Sequence, residues 1–224
     1  MRSGGLAFNM TQNTSGEPVQ KRRGRPRAYD PKVAIARATA TFWKEGYAAT
    51  SLDDLSAGMG MNRPSLYAAF GDKRELYLKT LEHYRDEARA LVRAVATSDL
   101  PLRVFLKRFY REALGIFCGG GPRGCYLIGT ATTVAGADER VRAFLSDSVR
   151  GADEFLRQQI DRAKERGEIS ARSDSGALAC IATAMLHTLA VRARAGAPRR
   201  MLEKQVDAVI NVICAAPSSD NAPD

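Results

Sequence analysis

From Asp30 to about Cys214 the apolar residues of this chain recur at intervals of three and four, and nowhere do they alternate convincingly with period two. That pattern fits amphipathic helices and leaves no half-buried strand, so an all-α fold is expected. The helices are separated by local stop and start signals. Asp30-Pro31 is an N-cap followed by a first-turn proline, and Ala34, Ile35, Ala38, Phe42 and Trp43 then form one apolar face that ends at Gly46. Ser51-Leu52-Asp53-Asp54 reads as a capping-box variant opening a short second helix, with Leu52, Leu55 and Met59 on its inner side. Gly60-Met61 breaks it. Asn62 caps a third helix, whose first turn tolerates Pro64 because that N–H has no partner there anyway. Leu66 and Phe70 are its core residues, and Gly71-Asp72 closes it and caps the next. Helix, short helix, tight turn, short helix is the helix-turn-helix arrangement.

Beyond Lys73 the segments lengthen. Helices are expected from Lys73 to about Thr97, from Pro101 to about Phe117, and over about 125–136, 139–166, 174–195 and 198–214, with a flexible glycine loop at Gly119–Gly124. The domain plan is therefore a disordered basic arm over 1–27, a helix-turn-helix domain over 28–72, a helical bundle over 73–214 and a disordered tail over 215–224.

Charge narrows the partner. The chain of 224 residues carries 34 Lys and Arg against 25 Asp and Glu, net +9. Residues 20–83 hold twelve basic and seven acidic groups, and the excess centres on Lys21-Arg22-Arg23-Gly24-Arg25-Pro26-Arg27. A solubilising tail is one reading of that run. Its Arg-Gly-Arg-Pro core resembles an AT-hook, which lays guanidinium groups in the negative minor groove, so double-stranded DNA is the expected partner. No apolar run of ~18 residues suggests a membrane span, and Leu6-Ala7-Phe8 is too short for a signal-peptide core. Four cysteines without C-x-x-C fit neither a disulfide framework nor a zinc ribbon. A cytoplasmic, nucleoid-associated protein with no cofactor and no membrane partner is expected.

A helix-turn-helix reads DNA with the exposed start of its second helix. The candidates are Asn62, Arg63, Pro64, Ser65 and Tyr67, with Arg63 suited to a bidentate guanine contact. The start of the preceding helix, at Thr50 and Ser51, offers amide groups to a phosphate. Lys73 is placed for the backbone just beyond, and Arg22, Arg23, Arg25 and Arg27 for the minor groove.

At these residues the chain resembles a known family. Phe42, Gly46-Tyr47, Thr50-Ser51-Leu52, Leu55, Gly60, Ser65-Leu66-Tyr67, Phe70, Lys73 and Leu76 look like the N-terminal domain of the tetracycline-repressor (TetR/AcrR) family, over about residues 28–80. The resemblance implies a homodimeric bacterial repressor, a palindromic operator and a C-terminal bundle that binds a small-molecule inducer and dimerises through its last two helices. Ala68-Ala69 and Pro64 depart from the family pattern, so operator readout is expected to shift toward Arg63 and the arm.

Candidate pocket residues in the bundle are Phe105, Phe109, Phe117, Tyr126, Thr130, Met185 and His187, each of which also reads as ordinary core. Cys118 and Cys125 flank the glycine loop. Arg123 beside Cys125 would lower its pKa if both were exposed, so a thiol or soft-metal sensor is an alternative. A non-specific architectural DNA binder is another. Catalysis is not expected: the glycine loop lacks a following Lys-Ser/Thr, and no nucleophile triad or HExxH is present.

Overall fold

The computed structural model describes residues 29–96, 99–121 and 123–215. The basic arm with Arg22, Arg23, Arg25 and Arg27, and the tail from 216, lie outside the described residues. Among those described there are helices and no strands. In chain order they are α1 (Pro31–Glu45), α2 (Leu52–Met59), α3 (Arg63–Phe70), α4 (Lys73–Ala96), α5 (Leu102–Cys118), a π-helical turn (Leu127–Ala131) running into α6 (Thr132–Val134), α7 (Glu139–Glu165), α8 (Ser175–Arg194) and α9 (Arg199–Ile213).

The local signals act as their chemistry demands. Ser51 Oγ accepts from Asp54 N while the Asp54 carboxylate accepts from Ser51 N at 2.8 Å, a complete capping box. Gly60 ends α2 with φ +66, in the left-handed region that side chains resist. Asn62 Oδ1 accepts from Ser65 N at 2.9 Å and starts α3. With eight residues each, α2 and α3 are too short to persist alone. Tertiary packing holds them: Phe42, Leu55 and Leu66 are fully buried together with Ala38, each large side chain contributing about 1.5–3 kcal/mol.

The helix α4 joins this head to the bundle. It packs along α1, and α5, α7, α8 and α9 assemble beyond it around Leu106, Tyr110, Leu114, Leu156, Ile160 and Ile210. No break in packing separates residues 72 and 73; from Pro31 the described chain is one packed unit.

Three expectations change. The loop after α5 is pinned rather than flexible at its end. Arg123 O accepts from Trp43 Nε1 at 2.9 Å and from Arg194 at 3.2 Å, and the Arg123 guanidinium lies 4.4 Å over the Trp43 ring. Gly124 then approaches α8 so closely that a Cβ there would stand 2.7 Å from Ala190 O. The expected helix over 125–136 is present over 126–134, but with a π turn in place of a uniform α register before the three-residue α6. Finally, α8 is long and apolar enough to cross a membrane by length and composition, contrary to the sequence expectation. One of its faces enters the bundle through Ala179, Ala182, Leu189 and Ala193, while Ile181 and Val191 remain exposed on another.

Candidate functional site

The start of α3 is the exposed end of the head. Asn62, Arg63, Pro64, Ser65 and Tyr67 are all exposed, while Leu66 and Phe70 on the opposite face are buried. Arg63 is not free: it makes a bidentate pair with Asp53 of α2, with Nε to Oδ1 at 2.8 Å, which holds its guanidinium pKa up. Both side chains stay more than half exposed, 54% and 72%, so water screens the pair and it can exchange for another acceptor. Lys73 Nζ sits 4.6 Å above the Tyr47 ring, and its partial burial lowers its pKa. Asp53 and Tyr47, which the sequence places in a capping box and in the family motif, are not among the expected DNA-contact residues.

Thr50 is placed differently from the expectation. It is buried, its hydroxyl donates to Gly46 O at 2.6 Å and its N–H donates to the same oxygen. The Ser51 amide is occupied by Asp54, whose carboxyl is held below its usual range by the Ser51 hydroxyl and amide. Only the next amides, of Leu52 and Asp53, lack an intrahelical acceptor, and two carboxylates stand in that first turn.

Tyr77 and Thr80 of α4 face the segment after α5. Tyr77 O–H donates to Thr130 Oγ1 at 2.8 Å, and Thr80 Oγ1 lies 2.7 Å from Tyr126 Oη. All four residues are buried; burial pushes the Tyr77 phenol up to about 12 and the Tyr126 phenol higher. One turn away, Arg74 forms a bidentate pair with Asp138, the N-cap of α7, and Arg140 pairs with Glu75. The Arg74 contact and the capped amides hold the Asp138 carboxyl down at about 2.

Further along α4 the bundle opens into a cavity of about 440 Å³, walled mainly by apolar groups such as Val92, Ile128, Phe155 and Leu186. Of the seven sequence candidates, Phe109, Phe117 and His187 line it. Phe105 is buried behind Phe109, with ring centroids 6.1 Å apart. Tyr126 and Thr130 bond toward α4, and Met185 packs against the bundle core. Burial lowers the pKa of His187, opposed by Asp153. Cys125 lines the cavity and Cys118 does not. The Cys125 thiol accepts from Tyr84 O–H at 3.4 Å, and burial pushes its pKa up rather than down. Arg123, whose charge the thiol alternative invokes, stacks on Trp43 instead. Among the described residues no three His, Cys, Asp or Glu side chains are grouped to hold a metal ion.

Two family models match the chain: "Bacterial regulatory proteins, tetR family" over residues 34–80, and "Tetracyclin repressor-like, C-terminal domain" over 106–209. The chain is 30% identical to the HTH-type transcriptional repressor ComR of Escherichia coli over 82% of its own length and 88% of ComR. It is 26% identical to the HTH-type transcriptional regulator YezE of Bacillus subtilis, over 85% of this chain and 99% of that one. Among solved structures it resembles a cysteine variant of the TetR-family regulator CifR bound to a 26-base-pair double-stranded operator DNA. The TM-score there is 0.77 at 32% identity, covering 87% of this chain and 100% of that one.

Proposed function

The chain belongs to the tetR family of bacterial regulatory proteins, and we propose on that premise that it is a homodimeric cytoplasmic repressor that binds a palindromic DNA operator on the nucleoid and is released by a small molecule held in the bundle cavity. The observation that carries this reading is one helix with two duties. The first turns of α4 are tied to the head, where Lys79 Nζ donates to Phe70 O at 3.1 Å, and to the segment 126–140, and its later turns wall the cavity.

The residues divide the work of binding. Arg63 exchanges Asp53 for a base edge. Ser65 and Asn62 Nδ2 offer donors beside it, the Tyr67 hydroxyl reaches a phosphate, and Lys73, seated on Tyr47, neutralises another. Pairing of two copies is supported by the exposed apolar stripe of α8 (Ala177, Ile181, Ala184, Val191) and its continuation on α9 at Met201, Ala208 and Val212. A two-fold axis through that face presents two α3 helices to successive major grooves, about 34–36 Å apart. Inducer acts by binding better to the protein whose α3 helices have lost that spacing.

Footprinting on the DNA upstream of the gene tests the core of the proposal: a protected palindrome is expected, and protection without sequence preference would support the architectural alternative. Arg63→Ala is expected to weaken operator binding about 10- to 100-fold while sparing random duplex; equal losses on both remove its base-reading role. The thiol alternative requires Cys118→Ser/Cys125→Ser to abolish release by electrophiles or metals. The raised Cys125 pKa argues for the small-molecule reading instead.

A further inference from the structure

The apolar cavity has a cationic wall. Arg85, Arg89 and Arg93 follow one another at intervals of four along α4, on one face of the helix, and all three line the cavity. Arg85 is the innermost in character: its side chain is 75% buried, its guanidinium lies 4.3 Å over the Phe144 ring of α7, and its Nε is buried without a hydrogen-bond partner. Its nearest carboxylate, Asp86 Oδ1, stands at 3.9 Å, beyond hydrogen-bond reach, on a side chain turned largely to water. Arg89 extends across to α7, where Gly151 leaves it room: a Cβ there would meet Arg89 Nη2 at 3.5 Å. Among the described residues neither Arg89 nor Arg93 has an ion-pair partner. The lining holds one carboxylate, Glu112, and His187 is biased toward its neutral form.

A buried guanidinium nitrogen without an acceptor is costly, and the cost is relieved by an acceptor brought from outside. The fork geometry of arginine matches a carboxylate. A cationic guest would meet repulsion here, and a neutral apolar guest would leave Nε unpaired.

We propose that the cavity takes an amphipathic organic anion, with its apolar chain or ring system among Val92, Phe109, Phe117, Phe155 and Leu186 and its carboxylate on Arg85 and Arg89. This rests on the reading of the cavity as the inducer site and narrows it to a chemical class.

Calorimetric titration of the full-length protein tests it with matched probes: decanoate and 2-naphthoate against 1-decanol, 2-naphthol and decylamine. At least one carboxylate is expected to bind about 10- to 100-fold tighter than its neutral counterpart and than decylamine, the range of a charge-assisted hydrogen bond. Arg85→Met, which keeps the apolar stem, is expected to remove that advantage by weakening the carboxylate far more than the alcohol; Arg85→Lys should restore part of it. Carboxylates and alcohols binding alike, with both lost when Ala152→Phe fills the cavity in a protein of unchanged circular dichroism, overturn the anion proposal and leave the cavity reading standing. No binding by any probe, or binding indifferent to Ala152→Phe, overturns both.

Discussion

The hydrogen bond between Thr80 and Tyr126 has two sides of unequal cost, and that asymmetry can be measured. Thr80 Oγ1 donates to Tyr77 O at 2.6 Å, so in its 2.7 Å contact with Tyr126 it is the acceptor and the phenol O–H donates. Burial raises the Tyr126 pKa, so the phenol keeps its proton at any working pH. Tyr126→Phe deletes the donor; Thr80 retains Tyr77 O, and nothing buried is orphaned. The loss is one net hydrogen bond, about 1 kcal/mol. Thr80→Val breaks the same bond with an isosteric side chain but strands the phenol O–H at a position with 0% exposure. Adding that desolvation cost gives about 2–3 kcal/mol. For a chain of this size the difference corresponds to roughly 2–8 °C in Tm. The double variant has neither group and should return close to Tyr126→Phe, so it should be more stable than Thr80→Val alone. Trp43 is the sole tryptophan and its ring lies 5.7 Å from the Tyr126 ring, so its fluorescence can follow urea or thermal unfolding at fixed protein concentration. Equal costs for the two single variants, or a double variant as weak as their sum, would refute the assignment of donor and acceptor.

Asp53→Asn should tighten binding to random duplex by removing a carboxylate from the surface proposed to face DNA, and to operator further by freeing Arg63; weaker operator binding in a fluorescence-anisotropy titration would mean that Asp53 positions Arg63 instead. Gly124→Ala should cost about 2 kcal/mol or more, since it forces a side chain to φ +66 and against Ala190 O. Gly120→Ala, at φ +76 with only Arg123 Cδ 4.0 Å away, should cost less in the same melt. The folded Asp138 pKa of about 2 lies below the ordinary 3.8. Its stabilising effect is therefore complete above pH ~4 and lost as pH falls through about 2. The Tm gap between wild type and Asp138→Ala should be full at pH 6 and close over that window; a gap that widens on acidification contradicts the pairing with Arg74.

What was legible in the sequence was written in short-range chemistry. Ser51 with Asp54, Asn62 with Ser65, and Gly60 act between residues a few positions apart, so their spacing alone places the turns of the head. The cavity is a different problem. Helical period identifies an inward face but not which of its layers meets open space, so Phe105 and Phe109 look alike, and only Phe109 lines the cavity. At 127–131 the π turn adds residues per turn, and a 3.6-residue projection loses register there. Tyr126 and Thr130 consequently bond toward α4 while Ile128 faces the cavity. The arginines of α4 were missed for an opposite reason: charges at intervals of four read as a solvated face unless the facing helix is known to carry Phe144 and Gly151. Arg123 and Cys125 are sequence neighbours whose contacts diverge, one onto Trp43 and the other toward Tyr84. The apolar outer face of α8 is not marked by periodicity, because a helix apolar on several sides gives little periodic signal; only the family resemblance pointed to the last two helices.

On the proposed function, the placement of groups along α4 sets what an inducer has to do. The bonds to the segment 126–140 arise from Arg74, Glu75, Tyr77 and Thr80, whereas the cavity begins at Tyr84 and runs to Arg93. At 1.5 Å per residue, the cavity residue Val92 lies about 22 Å from Tyr77 along the helix, and α3 lies beyond the tied end. On the proposed mechanism those ties are a pivot, so displacement at Val92 turns the head instead of bending α4 in the middle. Coupling between ligand and operator is a free energy shared by both sites. A ligand that weakens operator binding 100-fold must itself bind the operator complex 100-fold more weakly. Loosening the pivot with Thr80→Val is therefore expected to reduce both factors together while leaving ligand affinity for the free protein nearly unchanged. If decanoate or 2-naphthoate binds as proposed, titrating it with and without operator measures one factor, and operator titration with and without ligand measures the other. A Thr80→Val protein that keeps both factors at the wild-type value shows that the signal travels to the head by a route other than these buried bonds.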